Sequence, residues 1–271
     1  MYVLTRMIMH ANSYAMSIDP PIARRELIAA RLAEGRSVVA ALLAAEFGVS
    51  EDAIRRDLRA LAAEGRCRRV YGGALPVSPA TATMAARLGE GIEKKRLLAR
   101  AAALTVEAGE LLFLDSGSTN LALVEFLPEE KDLTIVTNAV EIAAAVLLRQ
   151  DLRLIVIGGV ADPVIGGCVD AAAAKAVGLM RFDRAFLGVC SLSAEEGVRA
   201  FDFADASFKR GVVASARRTV ALATSDKFTV RAPHHVAGLE QLDLLVVEPG
   251  IAPAQRVALE AAGCRRILAA G

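Results

Sequence analysis

Residues Glu46–Arg59 read EFGVSEDAIRRDLR. Gly48 supplies the positive φ of a tight turn. Ser50 is a good N-cap for a helix over 51–64, and Glu51 and Asp52 sit in its first turn, where the helix dipole favours acids. At 100° per residue, Ile54, Leu58 and the following Leu61 fall on one stripe, and Asp52, Arg55, Arg56 and Arg59 on the opposite face. A glycine turn leading into a capped, arginine-faced helix is how a helix-turn-helix offers its second helix to the major groove of DNA. Arginine suits that task, because its fork bonds guanine O6 and N7 together. Taken alone, RRDLR also fits a solvated face with local ion pairs.

The flanking sequence favours DNA. Upstream, Ile22, Leu27, Ile28 and Leu32 predict an amphipathic helix over 21–34, ended by Gly35. Ser37 is expected to cap a second helix from Val38 to about Phe47, with Leu42, Leu43 and Phe47 in its core. Downstream, RCRRVYGGALPV predicts a strand over 66–71, a Gly72-Gly73 turn and a returning strand over 74–77. Such a wing sets Arg66, Arg68 and Arg69 near phosphates, which add affinity without sequence information. The whole chain carries a net charge of only +1, but residues 21–75 hold ten arginines against seven acids. Ser50, Glu51, Asp52, Arg55, Arg56, Arg59, Arg68 and Arg69 are therefore the candidate DNA-binding residues.

The length of 271 residues suggests two domains, and 54% apolar residues exclude a disordered chain. No apolar run reaches the ~18 residues of a membrane span. Residues 1–20 read as a flexible extension, since His10, Asn12 and Ser13 interrupt any signal-peptide core. Cys67, Cys168, Cys190 and Cys264 lack metal-ligand spacing, and the chain is too large to need disulfide staples. A reducing cytoplasm fits this usage. His234-His235 reads as a Pro-containing loop without a third ligand, so neither a metal nor another cofactor is expected.

Residues 76–92 read as a linker with a short helix, from Pro76, Pro79 and their small neighbours. Over 93–271, apolar runs alternate with helical periods. Strands are expected at 111–115, 133–137, 152–157, 185–189, 219–223, 242–247 and 265–268. This alternation predicts a largely parallel α/β sheet, whose ligands sit beyond the carboxyl ends of the strands. Three groups stand at such ends. Asp115-Ser116-Gly117-Ser118-Thr119-Asn120 runs from a strand into a helix and offers N–H groups and hydroxyls to an anion. Thr137-Asn138 and Gly158-Gly159 follow the next two strands. Lys209 and Lys227 could each meet a phosphate as a point charge.

ARRELIAARLAEGRSVVAALLAAEFGVSEDAIRRDLRALAAEGRCRRVYGGA resembles, without a gap over 23–74, the winged helix-turn-helix of DeoR-type bacterial transcriptional regulators. Ala53 stands where that family usually has threonine. KKRLLARAA, FLDSGST, LTIVTNAVEIA, VIGG, FDRAFLGV, FKR and ATSDKF are similar to the sensor domain of the same family, across about 93–249. The resemblance implies a sensor fold related to sugar-phosphate isomerases and a phosphorylated sugar or related metabolite as effector. It implies that Asp115, Ser116, Gly117, Ser118 and Thr119 form a phosphate cradle and that Asn138, Gly158, Lys209 and Lys227 line the pocket. Gly188-Val189-Cys190-Ser191-Leu192 departs from the family's Gly-Ala-Asp-Gly-Ile, replacing a carboxylate by a cysteine.

The expected protein is a DNA-binding regulator, a repressor of a carbohydrate-use operon, acting on an operator as a homo-oligomer of at least two chains. Two other readings stay open. One is a sugar-phosphate isomerase with a DNA-binding module. It needs a base where Val189-Cys190-Ser191 now stand; Glu195, Glu196, Asp202 and Asp205 are the remaining acids. The other is a DNA-binding protein with a degenerate, ligand-free sensor.

Overall fold

The computed structural model describes residues 20–33, 36–76 and 82–271. Gly35, the extension through residue 19 and the side chain of Arg68 lie outside the described residues. The chain divides into two compact units after residue 77, each with its own core.

The first unit contains helices α1 (Pro20–Ala33), α2 (Ala40–Phe47) and α3 (Glu51–Ala63). Its strands β1 (Val38–Val39), β2 (Cys67–Val70) and β3 (Gly73–Pro76) form a sheet in the order β1-β3-β2. Ile28, Leu32, Leu43, Ile54, Leu58 and Leu61 make the core. The α2 start differs from expectation. Ser37 caps nothing; the β-branched Val38-Val39 pair is extended against Ala74 and Gly73, and the helix begins only at Ala40. Leu42 points outward, 69% exposed, and Ala40, Leu43 and Ala44 bury the helix. Phe47 is half-buried, with the Arg31 guanidinium 5.7 Å over its ring.

The second unit is built on seven parallel strands: β4 (Leu111–Leu114), β5 (Thr134–Thr137), β6 (Arg153–Val156), β9 (Arg184–Leu187), β12 (Thr219–Ala223), β14 (Leu244–Val247) and β15 (Ile267–Ala269). Their order is β15-β14-β12-β9-β4-β5-β6. Side chains alternate between the faces. Leu112 and Leu114 pack with helices α5 (Ile92–Ala103), α6 (Ser118–Phe126) and α7 (Val140–Leu147). Phe113 points the other way, to Phe182 and Phe208, with α8 (Ala171–Gly178) and α9 (Phe203–Ser215). Leu245 and Val247 pack on that second face with α10 (Pro253–Ala261).

Two small sheets were not expected. A hairpin joins β7 (Ala161–Asp162) to β8 (Gly167–Cys168). An antiparallel sheet joins β10 (Ser191–Ser193), β11 (Gly197–Ala200) and β13 (His234–Ala237). His234 and His235 therefore belong to a strand paired with Ala200 and Arg199, not to a loop. Within the stretch read as a linker, α4 (Met84–Leu88) is packed into the second unit. Met84 is buried, its N–H donates to Pro163 O at 3.0 Å, and Gly166 makes room for its side chain. No helix among the described residues is long and apolar enough to cross a membrane.

Candidate functional site

In the first unit, Ser50 Oγ accepts from Ala53 N at 3.3 Å and starts α3. Arg55, Arg56 and Arg59 stand exposed on its outer face, opposite buried Ile54, Leu58 and Leu61. The three are not equivalent. Arg55 is held by Glu51 at 2.8 Å and Asp52 at 3.3 Å, so the two acids placed among the DNA contacts engage an arginine in the free protein. Arg59 Nε donates to Arg55 O at 3.3 Å. Arg56 has no hydrogen-bond or ion-pair partner among the described residues. Arg66 is turned from the phosphate role: its fork engages Glu26 at 2.8 and 2.9 Å. Asp57 faces inward, buried, and accepts from Arg24 Nε at 2.7 Å. Arg69 is exposed on the wing and shares with Glu51, Arg55 and Tyr71 a cleft of about 550 Å³ between α3 and the wing.

In the second unit, β4 and β9 lie side by side at the sheet's centre, and the chain leaves them toward opposite edges. This is a topological switch point, where ligands of open α/β sheets bind. Asp115 and Gly188 end these two strands and meet: Gly188 N donates to Asp115 Oδ2 at 2.8 Å. A Cβ at Gly188 would sit 2.4 Å from Ser116 O, so glycine is needed for the strand ends to close.

Asp115 is already engaged within the protein. It follows Phe113 in the alternation and points down, fully buried, to Lys209 Nζ at 3.2 Å. Lys209, also buried, pairs in addition with Asp205. Burial pushes the Asp115 carboxyl up to about 6, with the Asp205 charge adding to it against the pull of Lys209. Burial works to lower Lys209, but Asp115 and Asp205 outweigh it and hold its ammonium above the ordinary lysine value. Lys209 is thus a fixed counter-ion, not a mobile one. Asn138 is likewise committed: Oδ1 accepts from Ser116 N at 3.2 Å and Nδ2 donates to Cys168 O at 3.1 Å. Gly158 is exposed with open space around it.

What remains above this floor is Ser116, Gly117, Ser118 and Thr119. Ser116 is 6% exposed, yet its Oγ has no hydrogen-bond partner. Gly117 precedes α6 with no side-chain cap, so the half-buried Ser118 and Thr119 open the helix. Two further buried polar atoms of this unit lack hydrogen bonds: Glu141 Oε2, in the first turn of α7 beyond β5, and Arg87 Nε; the fourth such atom among the described residues, Arg25 Nε, lies in the first unit. The other end of Arg87 donates to Val164 O and Ile165 O at 2.7 and 3.0 Å, in the hairpin beyond β6. Native proteins leave few buried polar atoms unsatisfied, so their gathering at one end of a sheet marks a place for a polar ligand.

Lys227 is half-buried in a turn, Ser225–Phe228, after β12 and pairs with Asp226 at 2.8 Å. Lys94 reaches the same turn at Ser225 Oγ, 3.4 Å, which brings the start of α5 alongside. Burial first, and then the charge of Lys227, lower the Lys95 ammonium. Lys95 and Arg87 are cations at this end of the sheet that sequence reasoning missed, because in sequence each reads as an ordinary helix charge. Half-buried Cys190 feels Lys209, Asp205, Arg87 and Lys227, and burial pushes its thiol up. A thiol held neutral in this way is a poor nucleophile.

Comparison with known proteins matches two family models: a DeoR-like helix-turn-helix domain over 24–80 and a DeoR C-terminal sensor domain over 90–249. The chain is 32% identical over 205 residues to a glycerol-3-phosphate regulon repressor of Haemophilus influenzae, covering 75% of this chain and 80% of that one. It is 28% identical over 207 residues to the glycerol-3-phosphate regulon repressor of Escherichia coli, covering 76% and 82%. Among solved structures, the full-length sorbitol operon regulator of Klebsiella pneumoniae is matched at TM-score 0.43 and 14% identity, over 90% of this chain and 99% of that one. Ribose 5-phosphate isomerase A of Methanocaldococcus jannaschii is matched at TM-score 0.39 and 16% identity, over 51% and 55%.

Proposed function

Because this chain belongs to the DeoR family of transcriptional regulators, we propose that it represses a carbohydrate-use operon under the control of a phosphorylated sugar or related small anion. The first unit binds operator DNA with α3 in the major groove, Arg56 and Arg59 toward the bases and Arg69 toward phosphate. Arg55 joins them once released from Glu51 and Asp52. One winged module makes few contacts, so at least two chains act together on an operator.

The single observation that supports the effector site best is the buried, unpartnered Ser116 hydroxyl at the switch point. The anionic group sits over Ser116–Thr119 at the start of α6, where N–H groups and the helix dipole favour it. Lys95 and Lys227 neutralise it, and its arrival relieves their mutual repulsion. Arg87 Nε and Glu141 Oε2 bond the hydroxyls of the sugar. Ligand energy that differs between two arrangements of the chain is what alters DNA affinity.

Catalysis is not part of this reading. Asp115 and Asp205 are both bound to Lys209, so neither is free to shuttle a substrate proton. The test is thermal stabilisation of the whole protein by a panel of phosphosugars, including glycerol 3-phosphate and ribose 5-phosphate. Wild type is expected to shift with one or more members, and Ser118→Glu with none, while both bind DNA. If no phosphosugar shifts a DNA-binding wild type, the ligand-free sensor reading replaces this one. Turnover that Glu141→Gln abolishes would establish an enzyme instead.

A further inference from the structure

Tyr71 is fully exposed at the tip of the wing, at 107% of its reference area, and the backbone around it is tied. Val70 pairs with Gly73, so Tyr71 and Gly72 form a two-residue hairpin turn. Gly72 takes φ +81°, and its carbonyl accepts from Ala40 N at 2.8 Å. Gly73 lies so close to β1 that a Cβ there would stand 2.0 Å from Val38 O. The tip is thus tied on both sides and projects its aromatic ring into water. Turns of this length are filled by small polar residues and glycine when nothing else is asked of them. A large ring carried into water on a tied backbone points to a partner.

The surroundings name that partner. Tyr71, Arg69, Glu51 and Arg55 line one cleft, about 550 Å³, between the start of α3 and the wing. Arg56 and Arg59 stand on the exposed face of the same helix. A cleft flanked by arginines, with a helix for the major groove on one side, fits one sugar–phosphate strand of a duplex. The wing tip then lies across that strand, over the adjacent minor groove.

We propose that Tyr71 reads the minor groove next to the site of α3, with its ring edge-on between the strands and its hydroxyl donating to adenine N3 or thymine O2. The assignment rests on the DNA-binding reading above and adds a specificity residue to it. A minor groove about 6 Å wide admits a flat ring, and every A·T pair offers only acceptors there. A G·C pair adds the guanine amino group, a donor that opposes the phenol hydroxyl and obstructs the ring. Tyr71 therefore selects A·T pairs flanking the bases that α3 contacts.

The experiment uses the full chain and duplexes that the wild type itself selects from a random-sequence pool. At the flanking steps, A·T pairs are replaced by G·C or by inosine·cytosine, which lacks the minor-groove amino group but keeps the major-groove face of G·C. Wild type is expected to bind A·T and inosine·cytosine alike and G·C roughly tenfold more weakly, the scale of one mismatched pair. Tyr71→Ala is expected to bind all three alike, at about the affinity of wild type for G·C. The chain has no tryptophan and only two other tyrosines, Tyr2 and Tyr14. Tyrosine emission should therefore change on DNA binding, and Tyr71→Phe should lose that change while folding normally. Unaltered discrimination in Tyr71→Ala, or a wild type that treats inosine·cytosine as G·C, overturns the proposal. A wild type that selects no duplex overturns the DNA-binding reading itself, a different result from either.

Discussion

Lys209 Nζ lies 3.2 Å from Asp115 Oδ2, and Asp205 holds the same ammonium from one turn earlier on α9. One cation thus serves two buried carboxylates. Lys209→Met leaves both acids without a counter-charge, and removal of one partner of a buried pair costs about 3–5 kcal/mol. The sensor unit is expected to unfold or to need mild acid to fold, read as a loss of its urea transition at neutral pH. Asp115→Asn leaves a balanced Lys209–Asp205 pair and should cost far less. Equal losses for the two variants would contradict this account.

The same cluster sets a pH dependence. Asp115 titrates near 6 in the folded chain, above its ordinary carboxyl value of 3.8. The folded state then holds a proton that the unfolded state has lost. Its stabilising contribution is complete below about pH 4 and disappears as pH rises through 6. A displacement of that size is worth at most about 3 kcal/mol. Asp115→Asn should remove that fall, so that the variant-minus-wild-type difference in unfolding free energy changes between pH 4 and 6. A flat difference would show that Asp115 titrates normally.

On the DNA unit, Glu51→Gln frees Arg55 from its stronger ion pair. Affinity for duplex DNA should rise, and the salt dependence should steepen by about 0.9 in log–log slope, the signature of one added phosphate contact. Arg56→Ala should instead lose roughly 1–3 kcal/mol on the selected duplex and little on random sequence. Band shifts across a salt series separate the two.

Ser50→Ala removes the cap bond to Ala53 N. The expected cost is about 1 kcal/mol, confined to the DNA unit. Calorimetry should resolve two transitions, with only that of the smaller unit lowered. A shift of both would mean that the units unfold together.

The strands were legible because each is a short, β-rich apolar run between turn residues, and the seven expected runs became the seven strands of the sheet. The stripe of Ile54, Leu58 and Leu61 gave α3 in the same way. Val38-Val39 misleads, because its strand partner lies at Gly73 and Ala74, far along the chain. Asp115 reads in sequence as a ligand group, although Phe113, two residues before it, already indicates the inward face. Arg87 and Lys95 could not be told from solvated helix charges. Only packing against the 163–166 turn and the Ser225–Phe228 turn sets them apart.

The hydrogen bond from Gly188 to Asp115 spans 73 residues of chain. Long-range parallel pairing is slow to form, because loops must close before contacts repay them. β4 keeps an unpaired edge until β9 has been made, and the Asp115 charge has no counter-ion until α9 arrives. The pocket is therefore among the last parts of the molecule to mature, whereas the helices and wing of the DNA unit close over a short span. A newly made chain whose central strands have not yet paired would therefore carry a folded DNA unit beside an unfinished switch point.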